Sequence, residues 1–330
     1  MSLHPSVAAV RRAVRRDLAD LDPADAVVVA CSGGADSLAL LAATVFEAKR
    51  GSWRVVGATV DHGLQEGSAE HADRVVTQMR ELGVDESVTA RVRVEAPGIG
   101  PEAAAREARY AVLAQVAESF SARAVLLGHT LDDQAETVLL GLTRGSGGRA
   151  LQGMRRTFEV YRRPLLDIDR QTTETACLVE GIEFWTDPHN SDDRYTRVRV
   201  RTRVLPVLEE ELGPGVAPAL ARTADMLRAD TAYLDGVAAA ALETTRTDGG
   251  LSVEVLHRLP DAVRTRVLRL AALEAGALAA ELFHTHVLET DRLLTDWHGQ
   301  KWVDLPGHVR VARRDARLSF TQDPGARPGP

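Results

Sequence analysis

The sequence predicts an α/β fold: a parallel, doubly wound sheet, then a helical connector and a small α+β C-terminal domain. Three observations carry this. Apolar β-branched runs alternate with stretches of helical spacing through roughly the first 140 residues. A small-residue loop, Ser32-Gly33-Gly34-Ala35-Asp36-Ser37, joins the first strand to its helix. After Gly249-Gly250 the pattern changes to helices mixed with short strands.

Strands are expected at Ala26–Ala30, Arg54–Val60, Val88–Val94 and Ala124–Gly128. Helices are expected at Asp36–Ala48, Gly67–Leu82, Pro101–Ser119 and Leu131–Thr143. A glycine-rich loop spans Gly141–Arg149, and Ile182–Trp185 reads as a further strand. Arg194–Arg203 alternates polar and apolar residues, which is strand-like, but Asp192-Asp193 before it and the Leu205/Leu208/Leu212 spacing beyond favour a helix. A long alanine-rich helix is expected over Val216–Thr244. Helices at Asp261–Glu274 and Glu281–Trp297, then strands at Val303–Leu305, Val309–Ala312 and Arg317–Phe320, complete the reading. Domains are expected over residues 1–212, 213–248 and 249–322, with a disordered Pro/Gly-rich tail at 323–330.

Strand, glycine loop and helix start together form a phosphate cradle. Gly33 and Gly34 let the backbone turn tightly against an anion, the helix start offers N–H donors, and Ser32 and Ser37 add hydroxyls. The loop lacks the lysine of a Walker A element. Asp36 would repel phosphate unless a cation bridged them, so the loop points to a magnesium–nucleotide complex. Asp61 follows the second strand at the same sheet edge, although a turn or cap role fits it equally. Gly128-His129-Thr130-Leu131-Asp132-Asp133 follows the fourth strand. There Asp132 and Glu136, or Asp133 and Glu136, would share a helix face as metal or catalytic groups, while acids in a first turn also suit the helix dipole. Arg106, Arg109 and Tyr110 fall within one turn, a solvated face or a phosphate and base contact.

The chain is long enough for two cores, with 330 residues, 45% hydrophobic and 26% charged. No apolar run is long enough to cross a bilayer, and a cytoplasmic protein is expected. Two cysteines, Cys31 and Cys177, do not support a disulfide framework, zinc site or iron–sulfur site. The net charge of −7 disfavours nucleic acid taken whole, but five arginines crowd between Arg194 and Arg203.

SGGADS at Ser32–Ser37 resembles the signature of the PP-loop ATP pyrophosphatases, which cleave ATP between the α- and β-phosphates. VDHGL at Val60–Leu64, AREARY at Ala105–Tyr110, GHTLDDQAET at Gly128–Thr137 and LTRGSG at Leu142–Gly147 narrow the resemblance to the tRNA(Ile)-lysidine synthetases. So do Gly153-Met154, RPLL at Arg163–Leu166 and DPHNSDDRYTRVRVR at Asp187–Arg201. Two departures stand out: Val198 where the family often has asparagine, and Thr130 in place of a second histidine.

The resemblance implies ATP as co-substrate, Mg2+, free L-lysine, and tRNA(Ile) with a CAU anticodon. The cytidine O2 attacks the α-phosphorus and pyrophosphate leaves. The lysine ε-amine then attacks C2 and expels AMP, so the codon read changes from AUG to AUA. On this reading Ser32, Gly33, Gly34, Ala35, Asp36, Ser37, Asp61 and Gly128 bind the nucleotide. Asp36 and Asp133 position magnesium or orient the reacting groups, with His129 and Asp132 as further catalytic candidates. Arg106, Arg109, Arg199 and Arg201 meet tRNA phosphate or ATP. A homodimer is expected by analogy. The competing readings are another PP-loop tRNA enzyme such as a thiolase, which the two scattered cysteines disfavour, and a non-catalytic nucleotide- or tRNA-binding protein.

Overall fold

The computed structural model describes residues 3–61, 67–92, 101–143, 147–187 and 192–322. His62, Gly63 and Leu64, the loop residues 144–146, residues 188–191 and the tail from 323 lie outside the described residues.

Strands β1 (Ala26–Ala30), β2 (Arg54–Asp61), β3 (Glu86–Arg91) and β4 (Ala122–Leu127) alternate with helices. These are α1 (Pro5–Asp17), α2 (Ala35–Gly51), α3 (Ser68–Leu82), α4 (Pro101–Ser119) and α5 (Leu131–Leu142). Two short strands, β5 (Thr157–Phe158) and β6 (Tyr161–Arg162), complete a sheet of order β3-β2-β1-β4-β6-β5. The pairs β1–β2, β1–β4, β2–β3 and β4–β6 are parallel, and β5–β6 is antiparallel.

The doubly wound arrangement follows from β1 being apolar on both faces. Val27 and Val29 face one way, into a core with Leu38, Leu41, Val75 and Met79. Val28 faces the other, against Val112, Leu113 and Val116 of α4. Both faces therefore need a helical cover, and the ligand edge is the carboxyl end of the strands.

Several elements differ from the sequence expectation: β3 was expected at Val88–Val94, and β5 and β6, like the helix Val253–Arg258 and the hairpin over 246–252, were not expected. Helix α1 was not expected, yet Val7, Val10 and Val14 give it a buried stripe. Its Arg15 donates to the buried Glu47 carboxylate at 2.8 and 2.7 Å. Helix α6 (Arg170–Glu180) was also passed over, although the Asp169 side chain caps it by accepting from the Thr172 N–H at 2.6 Å. Ile182–Trp185 forms no strand. Its backbone donors go elsewhere: Ile182 to Cys177 O, and Trp185 to Gly33 O at 2.9 Å.

The arginine-rich segment is helical: α7 (Thr196–Arg199), a π-helical turn (Val200–Val204) and α8 (Leu205–Leu212). Val198, Val200 and Leu205 are all buried, a spacing that a regular α-helix would not keep on one face.

The chain divides into two compact units, Met1–Leu140 with Gly153–Arg222, and Gly141–Gln152 with Thr223–Pro330. The division falls inside the long helix α9 (Val216–Thr245), so the helix expected as a separate connector is shared between the units. Gly249 instead sits with Asp248 in the turn between β7 (Arg246–Thr247) and β8 (Gly250–Ser252), and Gly250 opens β8. The second unit adds α10 (Val253–Arg258), α11 (Asp261–Glu274) and α12 (His284–Thr295), with β9 (Val303–Leu305), β10 (Val309–Arg314) and β11 (Arg317–Gln322). Its sheet runs β7-β8-β11-β10-β9, with antiparallel pairing throughout. No helix among the described residues is long and apolar enough to cross a membrane.

Candidate active site

A cavity of about 950 Å³ opens at the carboxyl ends of β1, β2 and β4. Ser32, Ser37, Asp61, Arg109, Gly128 and His129 line it, so six of the expected residues converge as the topology requires.

The loop after β1 is held by its own side chains. Ser37 Oγ accepts from the Ser32 N–H at 3.1 Å and donates to Gly34 O at 2.9 Å. That hydroxyl, expected to reach phosphate, is engaged in shaping the loop, while Ser32 is exposed on the cavity wall. Gly33 has φ +81°, and a Cβ there would stand 2.7 Å from Val75 and 2.9 Å from the His71 ring. Gly34 needs no such freedom: its backbone is extended and an added Cβ would meet nothing nearer than 3.7 Å. As N-cap of α2, Gly34 offers no side-chain cap, which leaves the first-turn N–H donors to a ligand. Gly128 is needed for close approach, since a Cβ would press at 3.1 Å on the backbone of Asp36 and Ser37. Gly33→Ala is expected to lower ATP affinity at least about tenfold in a calorimetric titration, because the loop must open to seat the methyl group.

The acidic residues gather beside the cavity around Arg170, which the sequence reading missed. Its backbone N–H donates to Asp132 Oδ2 at 2.8 Å. Its guanidinium donates to Asp133 Oδ1 at 3.0 Å and pairs with Asp36 at 3.6 Å and Glu136 at 3.7 Å. Asp133 Oδ2 accepts from the Thr130 N–H and hydroxyl at 2.9 and 3.2 Å, as an N-terminal cap of α5. Burial works against the Asp133 charge, but Arg170, the Thr130 N–H and Arg201 outweigh it and hold its pKa below the usual carboxylate value.

Asp36 has the opposite balance. Burial raises its pKa to about 6, opposed by the Thr173 hydroxyl and Arg170 and reinforced by Asp133 and Asp132. Burial likewise pushes Glu136 up, against Arg201.

His129 Nδ1 accepts from Arg163 Nε at 3.1 Å, which places the neutral ring's proton on Nε2. Burial, together with Arg163, Arg109 and Arg106, depresses its pKa to about 3 against the pull of Asp133. The ring is therefore a neutral donor at neutral pH rather than a general base. Arg163 is fully committed, donating also to Arg155 O and to the Tyr110 hydroxyl at 3.2 Å.

Of the expected tRNA contacts, Arg109 lines the cavity and exposed Arg106 packs on the Tyr110 ring at 5.0 Å. Arg199 is turned back on its own segment, donating to Asp193 O and Arg194 O. Arg201 points inward: it forks onto Glu136 at 2.6 and 3.1 Å, and Glu136 is fully buried. Gly153-Met154 is structural, exchanging two hydrogen bonds with the Gln134 side chain.

Magnesium asks for hard oxygen donors and keeps several waters, so one carboxylate beside a triphosphate suffices. Asp36 fits, since among the described residues its Oδ2 has only the 3.6 Å ion pair to Arg170 Nε. Asp133 does not, since protein donors engage both of its oxygens. Among the described residues no three-residue His/Cys/Asp/Glu cage converges.

A phosphate-binding helix start at the carboxyl edge of a parallel sheet, with a carboxylate in its first turn, defines a PP-loop nucleotide-binding protein. Residues 7–208 match the PP-loop domain family, and residues 251–319 match the TilS substrate binding domain. The chain is 53% identical to the tRNA(Ile)-lysidine synthase of Thermobifida fusca, covering 97% of this chain and 98% of that one. It is 50% identical to that of Streptomyces coelicolor, covering 98% and 100%. The chain belongs to the tRNA(Ile)-lysidine synthase family. In fold it also resembles the U34-tRNA thiolase NcsA from Methanococcus maripaludis with its [4Fe-4S] cluster, at TM-score 0.57 and 19% identity over 67% of this chain and 79% of that one.

Proposed function

We propose that this chain is a ligase that joins free L-lysine to C2 of the wobble cytidine of tRNA(Ile), consuming ATP to AMP and pyrophosphate. The observation that carries the reading is the uncapped first turn of α2 at the cavity edge, where Ser32 and Ser37 line the cavity and Asp36 stands beside it. Its N–H donors and the Ser32 hydroxyl bind phosphate and stabilise charge developing on pyrophosphate. Asp36 would hold a magnesium ion arriving with ATP, which when bound would supply charge screening of the triphosphate. His129 donates from Nε2 at the cavity wall. Cytidine O2 attacks the α-phosphorus, and the lysine ε-amine then displaces AMP from C2.

The acid cluster supplies the site for the lysine ammonium. Within it Asp132 is half-buried and accepts the Arg170 N–H through Oδ2, which makes it the carboxylate placed to meet an ammonium. A cluster-binding thiolase is disfavoured: the chain has two cysteines, both buried, with thiol pKa values pushed up by burial.

For tRNA, the second unit offers two guanidinium–indole stacks. Arg310 lies 4.5 Å from the Trp302 ring and Arg313 4.4 Å from that of Trp297. Both indoles are more than two-fifths exposed, at 45% and 42%. Arginine with an exposed aromatic suits phosphate and unstacked bases. Trp302→Ala is expected to weaken tRNA binding about five- to tenfold in filter binding, the value of one base–aromatic stack. ATP affinity should not change. The reading as a whole is tested by AMP release with CAU-anticodon tRNA(Ile) against the same tRNA carrying another anticodon. AMP is expected with the first alone; equal release from both would overturn the assignment of the acceptor.

A further inference from the structure

We infer that Thr173 is a positioning residue for Asp36, its buried hydroxyl fixing the carboxylate in the orientation that the phosphate chemistry uses. The inference rests on the role of Asp36 proposed above. Thr173 sits in the first turns of α6, far in sequence from the loop, and is fully buried. Its Oγ1 lies within hydrogen-bond distance of both Asp36 Oδ1 and Arg170 O, the second at 2.7 Å. A β-branched side chain has a stiff χ1, so the oxygen stands at a fixed place, and its one proton is directed to the Asp36 carboxylate, a stronger acceptor than the Arg170 carbonyl beside it.

Asp36 has little else to hold it. Its other oxygen stands 3.6 Å from Arg170, a guanidinium shared with Asp133 and Glu136. Such a shared pair attracts the carboxylate without setting its rotation, whereas the hydroxyl contact is directional. Helix α6 is in turn registered on α2. Cys177 Sγ, one helical turn beyond Thr173, donates to Ala35 O at 3.4 Å, next to Asp36. The Asp132 carboxylate accepts from the Arg170 N–H at the helix start. Thr173, Cys177 and Arg170 of α6 therefore all meet the first turn of α2, and of the two that reach the Asp36 carboxylate only Thr173 does so within hydrogen-bond distance.

The test compares Thr173→Val, which keeps the shape and removes the hydroxyl, with Thr173→Ser, which keeps the hydroxyl, and uses Asp36→Asn as reference. Thr173→Val should lower kcat for AMP formation about 10- to 100-fold, the cost of a misplaced catalytic group, with KM for ATP within about threefold. In calorimetry at limiting magnesium its ATP affinity should fall, and the gap from wild type should close without magnesium. Thr173→Ser should recover kcat to within about threefold of wild type. Wild-type kcat in Thr173→Val would overturn the inference. So would equal losses in the valine and serine variants that track a falling Tm, which mark a packing role. If Asp36→Asn keeps its AMP formation, the reading of Asp36 itself fails, and the inference falls with it.

Discussion

Asp36→Asn is expected to stabilise the folded chain above pH 6 while removing AMP formation. The wild-type carboxyl has its pKa raised to about 6 from 3.8, chiefly by burial. A raised acid binds its proton more tightly when folded. Its contribution to stability is therefore fully present below about pH 4 and is lost as pH rises through 6. Above that, the ionised carboxylate costs about 1–3 kcal/mol, an order-of-magnitude conversion of the shift discounted for its partial exposure. Asparagine removes the charge at every pH, so thermal melts should show Asp36→Asn ahead of wild type at pH 8 and level with it at pH 4. The same carboxylate, needed ionised to meet magnesium, gives wild-type activity an acid limb near pH 6. That limb should persist in His129→Gln, because His129, with its pKa near 3, does not titrate there. A melt at pH 8 lower than wild type would contradict the burial argument.

The second large effect is the loss of Arg170. Arg170→Met leaves Asp133, Glu136 and Asp36 without their shared counter-charge, and Glu136 has no exposure to solvent. Breaking a buried pair by removing one partner costs about 3–5 kcal/mol. The sign with pH follows from Asp133, whose wild-type pKa is held low, so its pairing stabilises above the unfolded carboxylate value and is lost on acidification. Denaturant midpoints of Arg170→Met should therefore fall well below wild type at pH 8 and approach it towards pH 4. Arg170→Lys should be intermediate, since an ammonium keeps the charge but not the planar fork. Equal midpoints at pH 8 would show that Arg201 and Arg197 neutralise the cluster unaided.

Where one residue type has one outcome, the sequence was legible. The triple valine of β1 and the strand–helix alternation placed β1, β2 and β4 within two residues, whereas β3 was expected at Val88–Val94 and runs Glu86–Arg91, and the two-residue strands β5 and β6 were too short to leave a pattern. The acidic motif after β4 was legible as a cluster, but not as a division of labour. Nothing local in Asp132-Asp133 says that one carboxylate caps α6 and the other caps α5. Arg170 and Thr173 were missed because α6 carries a threonine-rich first turn of low helix propensity, and its link to Asp36 spans 137 positions. The Asp169 cap was the one local signal that could have found them. Arg201 was misplaced because an alternating arginine run reads as a surface, whereas the π-helical turn aims this one at Glu136.

The central claim is tested most directly by incubating the protein with CAU-anticodon tRNA(Ile), ATP, magnesium and isotopically labelled lysine, then digesting the tRNA to nucleosides for mass spectrometry. The account predicts a labelled, lysine-dependent adduct on the wobble cytidine, formed with AMP in equal amount and absent when lysine is withheld. Pyrophosphate release with an unmodified cytidine in the presence of lysine would contradict it.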